Sequence, residues 1–422
     1  VRGAKYVFNV VRVGGLDAFA LDIEIPLRYG VDQCVGVTLG PGGIFYAQRG
    51  IPAVLDFCRD IREAAAPGCL LLNYANPNAM ITWACNKYGG VPTIGLCHGV
   101  QGGHHLIADA LGVPPQELDI VAAGINHQTW YIQIKHRGVD LTGRLLEALE
   151  RHPIYSRTEK VRLDMLRRFG YFSTESNGHL SEYVPWYRKR LDEIKDWIDL
   201  SSWINGETGG YLRVCTEGRN WFVEDFPNWL KEPPYAYEAA QRSGEHGSYI
   251  LEGLETGRIY RGHFNVVNRG TITNLPDDAV VEVPGYVDGN GVNIPRVGDL
   301  PLGCAAVCNA SISVQRLAVE AAVHGDDLLL RQAMMMDPLT GAVLNPPEIW
   351  QLTDDLLVAE EEWLPQYKAA IDAAKRRLSE GKRIPTREGF QGAARLQPKT
   401  VAEMRREREA ARREEPAGGK AD

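Results

Sequence analysis

The sequence predicts an α/β fold built on a doubly wound parallel sheet, and three stretches predict it. Leu70-Leu71-Leu72-Asn73 runs into Tyr74-Ala75-Asn76-Pro77, Pro92 to Leu96 runs into Cys97-His98-Gly99, and Leu118 to Gly124 runs into Asn126-His127. Each is a short apolar run that ends in polar residues, with segments of helical period, Met80 to Lys87 and His104 to Leu111, lying between them. Strands alternating with helices of this length make a parallel sheet. Successive strand ends then gather their polar residues on one rim, where open α/β sheets bind their ligands.

Composition narrows the function classes. With 422 residues, 44% hydrophobic and 24% charged, the chain can bury a large core. The balance of 46 basic against 54 acidic residues gives a net charge of −8, without the basic stripe that neutralises a phosphate backbone, so nucleic acid is excluded as a partner. No run is expected to reach the length of a bilayer span. Val1-Arg2-Gly3-Ala4-Lys5 has the character of neither a signal nor a transit peptide, so the expected place is the cytoplasm, with no membrane partner. Eight cysteines are dispersed among apolar neighbours, which favours reduced, buried thiols over a disulfide framework. Cys304 and Cys308, at i and i+4 in an apolar run, read as core.

Taken in order, Lys5 to Val13 is a β-branched, aromatic run closed by Gly14-Gly15, a buried strand and a tight turn. Gly40-Pro41-Gly42-Gly43 could cradle a phosphate through its N–H groups. It lacks the Lys-Ser/Thr of a P-loop and the spacing of a dinucleotide fingerprint, so it reads as a plain turn. A helix is expected from Ile51 to Ala66, and Pro77 stands near the start of the helix Met80 to Lys87. Beyond Trp130 the pattern changes to a hairpin (Tyr131 to Lys135, Val139 to Leu141) and helices at Leu145 to Arg151 and Lys160 to Phe169. Ser173 to Tyr187 follows neither period and reads as a functional loop or covering lid. Helix and short strands mix from Tyr249 to Val283, with Asp288-Gly289-Asn290-Gly291 a hairpin turn, and helices fill Cys304 to Val323, Asp326 to Met336 and Ile349 to Leu364. From Arg395 a charged tail is expected to be solvated or frayed. The resulting division is residues 1–125, 126–394 and a tail, 395–422.

The chemistry centres on Cys97 and His127. A thiolate and an imidazole suit a divalent first-row metal and leave positions for water or substrate hydroxyls. A lone Cys and His pair is open to a structural reading as well; the context that lifts it is that each follows a strand end, with Asn76 at a third. His98, beside Cys97, is well placed to handle protons, whereas His104 and His105 at a helix start read as surface or capping residues.

Thr38-Leu39-Gly40-Pro41-Gly42-Gly43-Ile44, Leu72-Asn73-Tyr74-Ala75-Asn76-Pro77, Gly95-Leu96-Cys97-His98-Gly99-Val100-Gln101 and Ala123-Gly124-Ile125-Asn126-His127 occur in one order and register. Gly170 to Ser176, Glu182-Tyr183-Val184-Pro185-Trp186 and Met335-Met336-Asp337-Pro338 continue the series. Together these blocks resemble glycoside hydrolase family 4, the NAD- and manganese-dependent glycosidases, and within it the bacterial α-galactosidases. The resemblance runs from the first residues to about Tyr367. It implies a Rossmann-like NAD-binding domain over residues 1–125, N-terminally incomplete, followed by an α+β domain of the lactate/malate dehydrogenase C-terminal type.

The resemblance makes Cys97 and His127 the ligands of Mn²⁺, Asn76 a contact to sugar hydroxyls, His98 the acid at the leaving oxygen and Tyr183 the base at sugar C2. Gly14, Gly15 and Asn73 fall to the NAD. It implies oxidation at sugar C3, deprotonation at C2, elimination, water addition and re-reduction, outside the paired-carboxylate scheme. The partner is then a small glycoside, and a homo-oligomer, dimer or tetramer, is expected.

Phe19 stands where members acting on 6-phosphorylated sugars carry an arginine, which favours a non-phosphorylated substrate. Ser176-Asn177-Gly178-His179 departs from the Ser-Ser-Glu-His of melibiases and leaves α-glucosides and α-galacturonides or glucuronides open. The strand, glycine-rich turn and helix that hold the NAD pyrophosphate in the family have no counterpart before Lys5. The chain as given is therefore expected to bind NAD poorly and be inactive, and a catalytically dead sugar- or metal-binding homologue is the competing reading. A dehydrogenase of the lactate or malate kind shares the sheet but needs no Cys and His metal pair.

Overall fold

In the computed structural model, which describes residues 1–201, 204–234 and 242–414, two of the three apolar runs that announce the sheet lie side by side, and their parallel neighbour is the first strand of the chain rather than Leu118 to Gly124. β1 (Tyr6–Asn9), β2 (Leu70–Asn73) and β3 (Thr93–Gly95) pair in parallel, Asn9 opposite Asn73 and Asn73 opposite Gly95. Their connections are α1 (Gly15–Arg28), α2 (Gly40–Ala64) and α3 (Asn78–Ala84).

α2 begins eleven residues before the expected start, at Gly40 rather than Ile51. Pro41 fits a first turn, where its missing N–H has no intrahelical partner to lose. Gly42 and Gly43 are there for close approach: a Cβ would lie 2.6 Å from the Gly36 carbonyl oxygen at one and 2.5 Å from the Thr38 carbonyl carbon at the other. Gly40 N–H donates to Asp337 Oδ1 (2.9 Å) and Gly42 N–H to Gln33 Oε1 (3.0 Å), so this stretch is a close-packed helix start rather than a phosphate cradle.

After α4 (Gly99–Leu111) the chain departs from the parallel pattern. β4 (Leu118–Ile125) turns at Asn126-His127 straight into β5 (Gln128–His136), with Ile125 opposite Gln128. A two-residue link can only join antiparallel neighbours. β6 (Val139–Asp140) returns through Arg137-Gly138, both with positive φ (50° and 82°), the hairpin turn that the twist of paired strands favours.

Next come α5 (Leu145–Arg151), α6 (Tyr155–Thr158) and α7 (Lys160–Phe169), then β7 (Phe172–Ser173) on β5 and a short helix α8 (Asn177–Tyr183) capped by the Ser176 side chain. The middle of the stretch expected to be a functional loop or a covering lid is therefore an inner helix, its residues buried on nearly every side. α9 (Gly210–Trp229) and α10 (His246–Thr256) precede β8 (Tyr260–Val267), β9 (Val280–Asp288) and β10 (Gly291–Asn293).

β8 and β9 occupy the place between β3 and β4, giving the order β1-β2-β3-β8-β9-β4-β5-β6 with antiparallel pairing beyond β3. The parallel rim thus comprises β1 to β3, and β4 reaches the same place by another route. One row of partners, Gly95, Asn265, Glu282 and Gly124, crosses the sheet and sets the ends of β3 and β4 level with one another across the two strands between them.

The C-terminal helices are α11 (Leu302–His324), α12 (Asp327–Met336), α13 (Pro338–Val343), α14 (Pro346–Ala359), α15 (Lys368–Glu380) and α16 (Val401–Glu414). α11, with 23 residues, is long and apolar enough by length and composition to cross a membrane, contrary to the expectation from the sequence. Here it packs against α2, α3, α12 and β4, with Cys304 and Cys308 in the core. Of the tail expected to be solvated or frayed, the described part is not frayed but a largely exposed helix: α16 lies along α9, with Arg405 paired to Asp225 and the Arg408 guanidinium over the Trp221 ring. Residues 415–422 of that tail lie outside the described residues.

Candidate active site

Past Gly95 the chain turns through Leu96-Cys97-His98 into α4, and past Ile125 through Asn126-His127 into β5, so the row across the sheet holds both turns together. Cys97 and His127 are buried, 8% and 7% exposed. His127 has φ 63°, in the left-handed region that non-glycine residues enter uncommonly and that marks held, functional geometry when they do.

A third donor joins them that the sequence reading did not single out. Glu175, between β7 and α8, places Oε2 3.6 Å from Cys97 Sγ and 3.7 Å from His127 Nε2. The three donor atoms lie within 4.8 Å of one another. The only signal for Glu175 in the sequence was the density of ionisable residues in its stretch.

Burial, and next the Glu175 carboxylate, push the Cys97 thiol well above its usual range, so without a cation it stays protonated. Gly99 N–H donates toward its sulfur at 3.4 Å. Burial holds His127 below its usual value, which makes it the neutral imidazole that metals bind. Its Nδ1 lies 2.7 Å from Thr38 Oγ1; with Nδ1–H donating to that hydroxyl, the Nε2 lone pair faces Cys97 and Glu175. Burial acts to raise Glu175, but His127 and His179 outweigh it and the carboxyl ends below its ordinary range. Thiolate, imidazole and carboxylate form a donor set that fits a divalent first-row ion.

α8 supplies the other wall. The Tyr183 ring lies parallel to His127 with centroids 6.5 Å apart, and among the described residues its buried hydroxyl has no well-formed hydrogen bond, with the Thr38 side chain nearby. Burial and the adjacent Glu182 push the phenol well above its usual value. Glu182 accepts the N–H groups of Cys34 (2.7 Å), Val35 and Gly36 (both 2.9 Å), which fixes the loop leading to Thr38. His179, not chosen as a site residue from the sequence, meets His127 edge-on at 5.2 Å, and burial pushes its imidazole down to about 3.

The remaining expected residues are more dispersed. His98 caps α4 with its side chain 69% exposed, Nδ1 3.9 Å from Glu245 Oε1. Asn76 is half-buried before Pro77, its Oδ1 accepting the Asn78 N–H at 3.3 Å. Asn73, expected to meet a cofactor, is fully buried. Its Oδ1 accepts from Asn9 Nδ2 at 2.8 Å and its Nδ2 donates to Ala75 and Thr82, so the amide braces the rim from inside and offers no free group.

Gly14 (φ 80°) caps α1 and Gly15 opens it, exposed and with space around it. Arg12, just before, lies 4.3 Å over the Phe19 ring and 4.8 Å over Tyr46, with a buried Nη1 that has no hydrogen-bond partner among the described residues. Phe19 is sealed beneath that guanidinium, so a ligand there would meet the arginine and not the aromatic. His104 and His105 bond the carbonyls of Leu118 and Gln101, both at 2.9 Å, away from the donor set.

Comparison with known proteins fits this geometry. The model of the family 4 glycosyl hydrolases matches residues 1–113, and that of the family 4 glycosyl hydrolase C-terminal domain matches residues 122–340. The chain is similar to an α-galactosidase of Rhizobium meliloti strain 1021, 56% identical over 413 residues, covering 98% of this chain and 84% of that one. An α-galactosidase of Bacillus subtilis strain 168 is 36% identical, over 87% of this chain and 83% of its own. Among solved structures, a 6-phospho-α-glucosidase from gut microorganisms, in complex with NAD and glucose-6-phosphate, superposes with a TM-score of 0.70 at 25% identity, covering 87% of this chain and 83% of that one.

Proposed function

The chain belongs to glycosyl hydrolase family 4, and from that premise we propose that it cleaves terminal α-galactosides, with NAD and a divalent cation, Mn²⁺, as cofactors. The observation that carries this reading is the convergence of Cys97 Sγ, His127 Nε2 and a Glu175 oxygen within 4.8 Å. The substrate class is supported by the 56% identical relative, an α-galactosidase, and the nucleotide by the NAD-bound structural neighbour.

Cys97 and His127 would hold the metal. Gly14 and Gly15 at the start of α1, beside the unpartnered Nη1 of Arg12, would hold the charged part of the NAD. When bound, NAD supplies a reversible hydride acceptor and the metal a Lewis acid beside the sugar oxygens.

The chain's own groups move the protons. Tyr183 takes the proton from sugar C2: its hydroxyl has no well-formed hydrogen bond among the described residues, and as a phenol of raised pKa it ionises only beside positive charge. His98, open to solvent at the lip of the site, gives a proton to the leaving oxygen, so the departing alcohol exits outward. Asn76 orients sugar hydroxyls from the end of β2. Burial of the thiol and imidazole keeps bulk water from competing for them.

The cytoplasm is the compartment proposed, because a thiolate ligand is lost on oxidation and all eight cysteines are free, seven of them buried. A homo-oligomer belongs to the same proposal. Its support is the exposed row Phe222, Phe226 and Trp229 on α9, and sedimentation of the full chain at monomer mass would refute it.

The test of function is release of the phenol from aryl α-galactosides, with α-glucosides and α-galacturonides alongside, with and without NAD⁺, Mn²⁺ and a reductant. Cleavage of the galactoside that needs both cofactors and the reductant is expected. Cleavage that survives removal of NAD⁺ and Mn²⁺ would refute the reading.

A further inference from the structure

We propose that Glu175 is a third protein ligand of the divalent cation, beside Cys97 and His127, so that the ion is held before any sugar arrives. This rests on the reading of Cys97 and His127 as metal ligands and deepens it.

Spacing is the first ground. Glu175 Oε2 stands 3.6 Å from Cys97 Sγ and 3.7 Å from His127 Nε2. Donors that share one first-row ion with bonds of about 2.0–2.3 Å stand about 2.8–3.8 Å apart, from the octahedral to the tetrahedral angle.

Uncompensated charge is the second. The Glu175 side chain is 15% exposed, and among the described residues no lysine or arginine pairs with it; its nearest partners are the His127 ring and the Cys97 thiol. Buried carboxylates are paired or bind metals, because an isolated charge in a protein interior is too costly to keep.

Room made for the carboxylate is the third. A Cβ on residue 99 would lie 1.8 Å from Glu175 Oε2 and 2.5 Å from its Cδ, and the backbone there has no positive φ, so glycine is needed at 99 for space and not for conformation. The first turn of α4 is thus shaped around this carboxylate. Thiolate and carboxylate together also balance the charge of a divalent ion, and three protein ligands leave positions for sugar oxygens, as catalytic sites do.

The test is Mn²⁺ binding to the full chain without sugar or NAD, read by calorimetry and by the loss of the free-ion electron paramagnetic resonance signal. Glu175→Gln keeps the side chain's size, and Gly99→Ala drives the carboxylate away without touching it. Both are expected to weaken Mn²⁺ by more than about tenfold, with circular dichroism unchanged. Co²⁺ bound to Glu175→Gln should keep the thiolate charge-transfer absorption that Cys97→Ser loses. If Cys97→Ser and His127→Ala weaken Mn²⁺ while Glu175→Gln and Gly99→Ala bind it as tightly as the unaltered chain, the third ligand is overturned and the pair stands. If Cys97→Ser and His127→Ala also bind as the unaltered chain does, the underlying metal reading fails with it.

Discussion

Thr38 Oγ1 sits 2.7 Å from His127 Nδ1, and through that bond the loop before α2 sets the orientation of an imidazole presented by the β4–β5 turn. That hydroxyl can accept the Nδ1–H, the tautomer a bound cation requires because it leaves the Nε2 lone pair free. Thr38→Val keeps the shape and removes the bond, so it is expected to lower Mn²⁺ affinity about 10–100-fold, as outer-shell changes at metal sites do. Thr38→Ser should restore it, and calorimetry of the two variants is the check.

Tyr183 allows activity and stability to be separated. Its buried hydroxyl has no well-formed hydrogen bond among the described residues, a cost that Tyr183→Phe removes, so that variant is expected to unfold at the same or slightly higher urea, within about 1 kcal/mol. As the base at sugar C2 its loss should lower kcat by about 10²-fold or more. Hydrogen exchange at C2 of a bound galactoside, followed by NMR in ²H₂O, should disappear with it; exchange that persists would move the base to another group.

What the sequence made legible was local. α5 and α7 have the expected bounds, Leu145–Arg151 and Lys160–Phe169, because one apolar stripe at helical period fixes each, and the Arg137-Gly138 turn announces its own hairpin. Cys97 and His127 were found by their place after strand ends, although the rim that unites them is not parallel. The insertion of β8 and β9 between β3 and β4 depends on the pairings of Gly95 with Asn265 and of Gly124 with Glu282, 170 and 158 residues apart, which no local pattern records. α8 is buried on nearly every face and shows no amphipathic period, so Glu175 and His179 were hidden in what resembled a loop. α16 is charged all round, and the partners that hold it, Asp225 and Trp221, lie on α9.

Glu282, in the row between β3 and β4, should make the metal-free protein sensitive to base. Burial raises its carboxyl from the ordinary 4.5 to about 8 against the opposing Asn126 hydrogen bond, so the folded chain holds a proton that the unfolded chain has released. Stability from this group is full below pH 4.5 and is lost as pH rises through about 8. Urea midpoints of the metal-free chain at pH 5 and pH 8.5, compared between the unaltered chain and Glu282→Gln, check it. The variant should show the smaller decline, and equal declines would show that Glu282 does not titrate in this range.

Arg49 makes the corresponding case for the scaffold beneath the site. Its guanidinium is wholly buried, donates to both Asp22 oxygens (3.0 and 2.6 Å) and to Glu360, and so ties α1 and α2 to the end of α14. Burial raises both acids, Glu360 far above its usual range with Asp22 as the next cause, and Arg49 opposes the rise at each, so Asp22 is the carboxylate that pairs with the cation and Glu360 the neutral acid. Removing only the cation leaves a buried carboxylate uncompensated, and Arg49→Met is expected to cost about 3–5 kcal/mol. Because the raised acids keep their protons in the folded state at low pH, the loss should be smaller at pH 5 than at pH 8. Replacing all three partners with apolar residues of like volume removes the stranded charge as well, and should recover most of what Arg49→Met loses. Urea unfolding of the single and triple variants at both pH values distinguishes this from a packing defect, which would be independent of pH and would not be relieved by the triple change.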